Sequence, residues 1–155
     1  MSEKNPTILF VCTGNTCRSP MAEVLARSIF EKAGLVANVH SAGVSAGNGY
    51  PASNNAIDAM SSENCDLTAH MSSQISREML ANASIVLTMT KAHLQVAKSI
   101  YPQAHAFTLC EYSGQKGDVS DPFGGDLQTY IKCAAQIKQL ILSSMTKLRE
   151  ELWQA

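Results

Sequence analysis

Short apolar runs alternate along this chain with longer segments in which apolar residues recur every three or four positions. The runs are rich in β-branched side chains and bounded by polar residues, a pattern that predicts buried strands. Four strands are predicted, over residues 7–11, 38–41, 84–89 and 105–109. The periodic segments predict helices from residue 19 or 20 to about 34, and over 52–61, 76–81, 91–100 and 127–152.

The first and last helices carry recognisable start and stop signals. Ser19 is expected to cap the first helix, Pro20 to occupy its first position and Gly34 to end it. Asp126 is expected to cap the last helix. These signals set a seven-residue loop between the first strand and the first helix.

Strands that alternate with helices predict an α/β fold. We expect a three-layer sandwich, with a four-stranded parallel sheet covered by helices on both faces. The length suits a single domain over residues 1–155. Ligands bind at the carboxyl ends of the strands in such sheets. Residues 12–19 and 118–125 are therefore predicted to form two walls of one site.

Composition and charge narrow the class of protein. Hydrophobic residues make up 45% of the 155 residues and charged residues 16%, which is typical of a globular chain. The net charge is -1 and the basic residues are scattered, so neither nucleic acid nor a membrane is an expected partner. No run approaches the roughly 18–20 apolar residues of a membrane span, and the polar start lacks a secretory signal. The odd count of five cysteines favours a reducing compartment. We expect a cytoplasmic monomer.

The seven-residue loop after the first strand and the serine that follows it read CTGNTCRS, from Cys12 to Ser19. A loop that runs from a buried strand into a helix turns backbone N–H groups inward, and the helix start adds positive partial charge. Gly14 and Asn15 tolerate the positive φ that such a concave loop requires, and the planar Arg18 can hold two phosphate oxygens. The predicted phosphate-binding residues are Thr13, Gly14, Asn15, Thr16, Cys17 and Arg18.

Cys12 lies at the bottom of this predicted loop. The same N–H donors and Arg18 favour its thiolate form, and Ser19 could donate a hydrogen bond to the sulfur. A thiolate beneath a bound phosphoryl group is placed for in-line nucleophilic attack.

Three other readings of the loop fit less well. A Walker A loop ends in Gly-Lys-Ser/Thr, whereas this loop ends in Arg-Ser-Pro. A zinc site on Cys12 and Cys17 lacks a second ligand pair at suitable spacing. A redox motif of the thioredoxin type needs two intervening residues, and here there are four.

The loop resembles the active-site loop of the low-molecular-weight protein tyrosine phosphatases, which carry C-x5-R-S near the N-terminus. Further motifs follow in that family's order: SAG at 41–43, H-x-S-x-Q from His70, VLTMT at 86–90 and DPFGG at 121–125. The resemblance implies a bacterial-type hydrolase that needs no metal and no cofactor. It implies Cys12 as nucleophile, Arg18 as phosphate ligand and transition-state stabiliser, and Asp121 as general acid.

An acid is also required on chemical grounds. The leaving phenol of a tyrosine phosphate has a pKa of about 10, and an arginine leaving group is more basic still. Asp121 would protonate the leaving group and then deprotonate the hydrolytic water, while Pro122 stiffens the loop. Asp118 and Asp126 are the competing acids of this loop.

The choice of substrate depends on two positions. Tyrosine-specific members usually carry a bulky aliphatic residue before the second cysteine and tandem aromatics after Asp-Pro. This chain has Thr16 and a single aromatic, Phe123. In both respects it resembles the bacterial protein-arginine phosphatases of the family, which implies phosphoarginine in proteins as substrate. Phosphotyrosine is the alternative, since Phe123 can stack on a phenol ring or a guanidinium.

The roles of several further residues are predicted less directly. Cys17 could form a reversible disulfide with Cys12, or it is a small buried loop residue. By the resemblance, Asn15 and His70 brace the loop, with His70 bonded to Asn15 or Ser19. The remaining histidines, His40, His93 and His105, are read as ordinary strand-end or surface residues, and Glu23 with Arg27 as a surface ion pair.

Two other functions are weighed. An arsenate reductase on the same fold would need further cysteines close together near the last strand, and Cys110 stands alone there. A phosphoprotein-binding module without catalysis would be expected to lack the nucleophile or the acid, and both Cys12 and Asp121 are present.

Overall fold

The computed structural model describes residues 5–154 and confirms the predicted α/β architecture. Within those residues the chain forms four strands and six helices. The strands are β1 (Thr7–Cys12), β2 (Asn38–Gly43), β3 (Ile85–Thr88) and β4 (Ala106–Thr108). The helices are α1 (Arg18–Lys32), α2 (Asn54–Ser61), α3 (Arg77–Asn82), α4 (Lys91–Ile100), α5 (Leu109–Tyr112) and α6 (Leu127–Leu152).

The sheet is parallel, with the strand order β2-β1-β3-β4. Strand β1 therefore lies between two neighbours and is buried on both faces. Its alternating side chains feed two cores: Ile8 and Phe10 pack with α1, α2 and α6, while Leu9 and Val11 pack with α3 and α4. This arrangement places Cys12 at the carboxyl end of a central strand, the edge of the sheet at which ligands bind in parallel α/β folds.

Most of the predicted elements are present within one or two residues. The helix α6 spans the predicted range and Asp126 caps it by accepting from the Thr129 backbone N–H. Gly34 ends α1 with a φ of 72°, as expected of a residue just beyond a helix. The strand β2 runs two residues further than predicted, to Gly43. The four-residue helix α5 was not predicted, because a single turn carries no periodic signal.

Within residues 5–154, none of the helices combines the length and apolar character needed to cross a lipid bilayer.

Candidate active site

The loop between β1 and α1 is concave because one residue adopts a left-handed backbone. Gly14 and Asn15 both tolerate the positive φ that a concave loop requires, and Asn15 is the one that adopts it, at 56°. An added Cβ at Gly14 would meet nothing closer than Thr16 Oγ1 at 3.7 Å. Asn15 therefore makes the turn on its own, in a conformation that costs roughly 1 kcal/mol or more.

Asn15 is completely buried and is held from four directions. Its amide nitrogen donates to Ser19 Oγ at 2.8 Å and to Ser41 Oγ at 2.9 Å. Its amide oxygen accepts from the Ser73 backbone N–H at 2.9 Å, and its own backbone carbonyl accepts from His70 Nε2 at 2.7 Å. The loop thus has its curved shape in the free protein, and the local strain is offset by these bonds.

Cys12 lies beneath the loop with 2% of its surface exposed, and its Sγ is 2.8 Å from Ser19 Oγ. The Ser19 oxygen already accepts a hydrogen bond from the Asn15 amide, so its own hydroxyl proton points to a different partner. The sulfur lies closer than the Ala42 carbonyl, which is 3.4 Å away. Ser19 therefore donates to Cys12, which stabilises a thiolate.

Ser19 is not the cap of α1, contrary to the prediction. The helix begins at Arg18, and the N-cap position belongs to Cys17, whose side chain makes no capping bond. Pro20 is consequently the third helical residue and not the first, at a position where its missing N–H would have had no intrahelical acceptor. A capping serine and a serine that bonds a neighbouring thiol look alike in sequence, which explains the error.

Arg18 is buried, with 4% of its surface exposed, and its guanidinium is fixed by three contacts. Its Nη1 donates to the Val119 carbonyl at 3.0 Å. Its Nη2 lies 3.5 Å from Thr13 Oγ1 and 3.5 Å from Asp121 Oδ2. The Nη2 edge therefore faces the mouth of the loop, where a phosphoryl oxygen would lie.

The structure brings Asp121 to the same mouth. Its Oδ1 accepts from the Phe123 backbone N–H at 3.1 Å, a local turn that orients the carboxylate, and its side chain is 53% exposed. The two competing acids are engaged elsewhere: Asp118 accepts from the Lys91 backbone N–H at 3.0 Å, and Asp126 caps α6. Of the three, Asp121 is the carboxylate paired with Arg18.

The two specificity positions differ in their surroundings. Thr16 is half-buried within the loop, and its hydroxyl is paired only with Cys17 Sγ at 3.8 Å among residues 5–154. The Phe123 side chain is 80% exposed. Both groups are thus available to a bound substrate.

Cys17 faces the protein interior. Its Sγ is 3.3 Å from Tyr130 Oη on α6 and 3.6 Å from Ser53 Oγ. Burial, together with this contact to Cys17, raises the pKa of Tyr130 to about 12, so the phenol stays protonated. Cys12 and Cys17 are both free thiols.

The SAG motif ends in glycine because the backbone of the neighbouring loop leaves no room for a side chain at position 43. A Cβ at this position would lie 2.5 Å from the Thr13 carbonyl oxygen and 2.9 Å from the Asn15 backbone nitrogen. The end of β2 therefore packs directly against the backbone of the loop between β1 and α1, and Ser41 of the same motif bonds Asn15.

Two features of the site were missed from the sequence. His93, read there as an ordinary residue, is buried against the loop, with Nε2 2.8 Å from Thr13 Oγ1. Burial, with the nearby Arg18 charge, lowers the pKa of His93 to about 4. No signal for this contact is present in the sequence, because it depends on the strand order: β3 neighbours β1, so the first turn of α4 lies beside the loop.

The second missed feature is the role of Glu23. It pairs with Arg27 at 2.6 Å as predicted, but its side chain is only 12% exposed and accepts from Ser41 Oγ at 2.7 Å. Because Ser41 accepts from Asn15, Glu23 belongs to the hydrogen-bond network that supports the loop and is not merely one half of a surface pair.

Within residues 5–154, no three His, Cys, Asp or Glu side chains converge as a metal site would require. The loop has a thiol at its base and a paired guanidinium and carboxylate at its mouth. Such a set suits the transfer of a phosphoryl group to sulfur, with a proton supplied to the leaving group.

Comparison with known proteins identifies the class. The family model described as low molecular weight phosphotyrosine protein phosphatase matches residues 7–154. The chain therefore belongs to the low-molecular-weight protein phosphatase family, as its motifs predicted.

Within that family, this chain is similar to proteins of two named activities. The protein-arginine-phosphatase of Bacillus subtilis is 42% identical over 147 residues, which cover 93% of this chain and 97% of that protein. The low molecular weight protein-tyrosine-phosphatase PtpB of Staphylococcus aureus is 37% identical over 141 residues, covering 87% and 94%.

Solved structures of both kinds of phosphatase share the fold of this chain. A mutant of the YwlE arginine phosphatase with a phosphorylated active-site serine superposes with a TM-score of 0.88, at 41% identity over 93% of this chain and 96% of that one. The low molecular weight protein tyrosine phosphatase of T. tengcongensis gives 0.89, at 39% identity over 93% and 100%.

Proposed function

We propose that this protein is a metal-independent protein phosphatase that works through a cysteinyl-phosphate and acts on phosphoarginine. The observation that carries the proposal is the convergence of three groups on one loop. Cys12 lies at its base, and Arg18 Nη2 lies 3.5 Å from the Asp121 carboxylate at its mouth. The phosphorylated active-site serine in a related arginine phosphatase supports a covalent intermediate at this position.

In the first step, the Cys12 thiolate attacks phosphorus and an S–P bond forms. The bond from phosphorus to the leaving nitrogen breaks, and the protonated Asp121 delivers its proton to that nitrogen. The bound phosphoryl dianion takes Arg18 away from Asp121, and its negative charge favours the protonated carboxyl. Loop N–H groups and Arg18 hold the three equatorial oxygens.

In the second step, water attacks phosphorus and the S–P bond breaks. Asp121, now a carboxylate, takes the proton from the water, and inorganic phosphate is released. The departing thiolate is stabilised by the Ser19 hydroxyl at 2.8 Å. No cofactor takes part in either step.

Two features support phosphoarginine as the substrate. Thr16 carries a hydroxyl within the loop, where an aliphatic residue would offer bulk in place of a hydrogen bond, and the exposed ring of Phe123 lies two residues after Asp121. The relatives at 42% and 40% identity are named protein-arginine-phosphatase. Phosphotyrosine is the second candidate, because PtpB relatives at 37% identity are named tyrosine phosphatases.

The test is phosphate release from a phosphoarginine peptide and a matched phosphotyrosine peptide, with Cys12→Ser as the blank. We expect a large excess on phosphoarginine. A preference for phosphotyrosine would keep the mechanism and reject the substrate. Activity on neither would reject the phosphatase proposal and direct attention to arsenate reduction or to phosphoprotein binding.

Thr16→Ile tests the origin of the preference. We expect this variant to lose activity on phosphoarginine and to keep or gain it on phosphotyrosine, because the larger side chain removes a hydroxyl and narrows the pocket. Thr16→Ser, which retains the hydroxyl, is the control. An unchanged ratio of the two activities in Thr16→Ile would remove position 16 from the explanation.

We also propose that Cys17 protects the nucleophile from oxidation. Peroxide would convert the Cys12 thiolate to a sulfenic acid, and the Cys17 thiol would displace water from it to form a disulfide. To do so Cys17 must leave Tyr130, which it contacts at 3.3 Å. Peptide mapping after peroxide treatment should find a Cys12–Cys17 disulfide, and finding only sulfinic acid at Cys12 would reject it. The monomeric state and the cytoplasmic location stay predictions.

A further inference from the structure

A buried histidine stands beside the phosphate-binding loop without a part in the chemistry above. His93 is the third residue of α4, and 4% of its surface is exposed. Because β3 pairs with β1, the helix that follows β3 begins next to the loop that follows β1. The fold thus brings His93 to Thr13, which is 80 residues earlier in the chain.

The contacts of His93 fix the position of its ring proton. Its Nε2 is 2.8 Å from Thr13 Oγ1. Its Nδ1 is buried and has no hydrogen-bond partner within residues 5–154. A neutral ring carries one N–H, and buried N–H groups without an acceptor are rare. We therefore assign the proton to Nε2, which donates to Thr13.

This assignment determines the direction of the Thr13 hydroxyl. Its oxygen accepts from His93 Nε2 and also faces Arg18 Nη2 at 3.5 Å. With both donors aimed at the oxygen, the hydroxyl proton must point away from them. Thr13 directly follows Cys12 and is exposed at the loop, so this proton is free to meet a group bound above the Cys12 sulfur.

We propose that His93 is a positioning residue of the phosphate site, which turns the Thr13 hydroxyl proton toward the substrate phosphoryl group and supports Arg18 through the same oxygen. The inference rests on the proposed phosphatase activity. It does not depend on whether the substrate is phosphoarginine or phosphotyrosine, because both present the same phosphoryl oxygens.

The kinetic test uses p-nitrophenyl phosphate, a substrate that avoids the arginine-tyrosine question. The variants are His93→Leu, His93→Gln, Thr13→Val and the double variant of His93→Leu with Thr13→Val. We expect His93→Leu and Thr13→Val each to lower kcat/KM by about 10- to 100-fold, because Thr13→Val removes a hydrogen bond to the charged phosphoryl group and His93→Leu removes the donor that orients it. His93→Gln, whose amide can donate to Thr13, should recover part of the loss.

The double variant provides the decisive comparison. If His93 acts through Thr13, the double variant loses no more activity than Thr13→Val alone. Losses that multiply would overturn the proposal, as would full activity of His93→Leu. The matched control is His105→Leu, a half-exposed histidine paired with Glu151 at 3.4 Å, which should retain wild-type activity.

Two measurements do not require turnover. Nitrogen NMR of the wild-type imidazole at neutral pH should show a protonated Nε2 and a bare Nδ1, and the opposite tautomer would overturn the proposal even if His93→Leu does not fold. Calorimetric titration with inorganic phosphate should show weaker binding to Thr13→Val and His93→Leu. If the wild type binds phosphate but hydrolyses no substrate, the proposed function is rejected. The positioning role of His93 is then tested by the phosphate affinities of the variants.

Discussion

Arg18 Nη2 and Asp121 Oδ2 lie 3.5 Å apart in the free protein, one side chain buried and the other half-exposed. In the proposed mechanism, phosphate and Asp121 therefore compete for the same guanidinium edge. An ion pair with one exposed member contributes only about 0–1 kcal/mol, so a dianion can displace the carboxylate at low cost. The pair holds the acid near the site until a substrate arrives.

Asp121→Asn should separate binding from catalysis. We expect kcat to fall by about 100- to 10,000-fold, because the leaving group no longer receives a proton. The same variant should bind inorganic phosphate several-fold more tightly, because the competing carboxylate is gone. Steady-state kinetics and calorimetry measure the two effects. Asp118→Asn is the matched control, and an equal loss of kcat in that variant would contradict the assignment of the acid.

Gly43→Ala should distort the phosphate-binding loop. The new Cβ would come within 2.5 Å of the Thr13 carbonyl oxygen, a backbone atom that cannot swing aside. We expect a loss of about 1–3 kcal/mol in the free energy of unfolding and a fall in kcat/KM of tenfold or more. Denaturant titration and initial rates test this, and wild-type kinetics in the variant would show that the contact is not needed.

Gly34→Ala serves as the contrasting glycine. Gly34 has a φ of 72°, yet a Cβ there would meet no atom within 4 Å. The substitution should therefore cost only the backbone strain, about 1 kcal/mol of unfolding free energy. Activity at a temperature well below unfolding should be unchanged. A large kinetic defect would mean that the end of α1 is coupled to the site.

His93 should make stability sensitive to mild acid. Its pKa is lowered to about 4 by burial first and by Arg18 second, while Asp118 and Asp121 act in the opposite direction. Between pH 6.5 and about 4 the unfolded chain takes up a proton that the folded chain does not, so stability falls as the pH falls through this window. The contribution present at pH 7 is about 3 kcal/mol at most.

The measurement compares unfolding free energies of the wild type and His93→Gln at pH 7 and pH 4. Carboxylates titrate in both proteins, so only the difference between them reports on His93. We expect the wild type to lose about 2–3 kcal/mol more than the variant over this range. Equal losses would show that the folded protein accommodates the imidazolium.

The sequence predicted what is local and missed what the topology creates. The strand β1, its loop and the start of α1 are contiguous, so apolar patterning and residue chemistry sufficed to place Cys12 and Arg18 at the two ends of one loop. The contact between His93 and Thr13 joins residues 80 positions apart and exists only because β3 neighbours β1.

The same reasoning accounts for the role of Glu23. Its helical spacing from Arg27 is visible in sequence, whereas its bond to Ser41 depends on how α1 packs against β2. Ser19 was misassigned because its hydroxyl had two plausible uses, and only the distance of 2.8 Å to the Cys12 sulfur decides between them.

The four bonds that hold Asn15 also limit how selective the loop can be. A loop that has its bound shape before a ligand enters cannot discriminate between ligands by a conformational change. We therefore expect any tetrahedral oxyanion of suitable size and charge to bind in it. Inorganic phosphate, the product released in the proposed second step, is one of them. We expect the rate of dephosphorylation to decline as free phosphate accumulates, which couples turnover to the phosphate level of the surrounding solution.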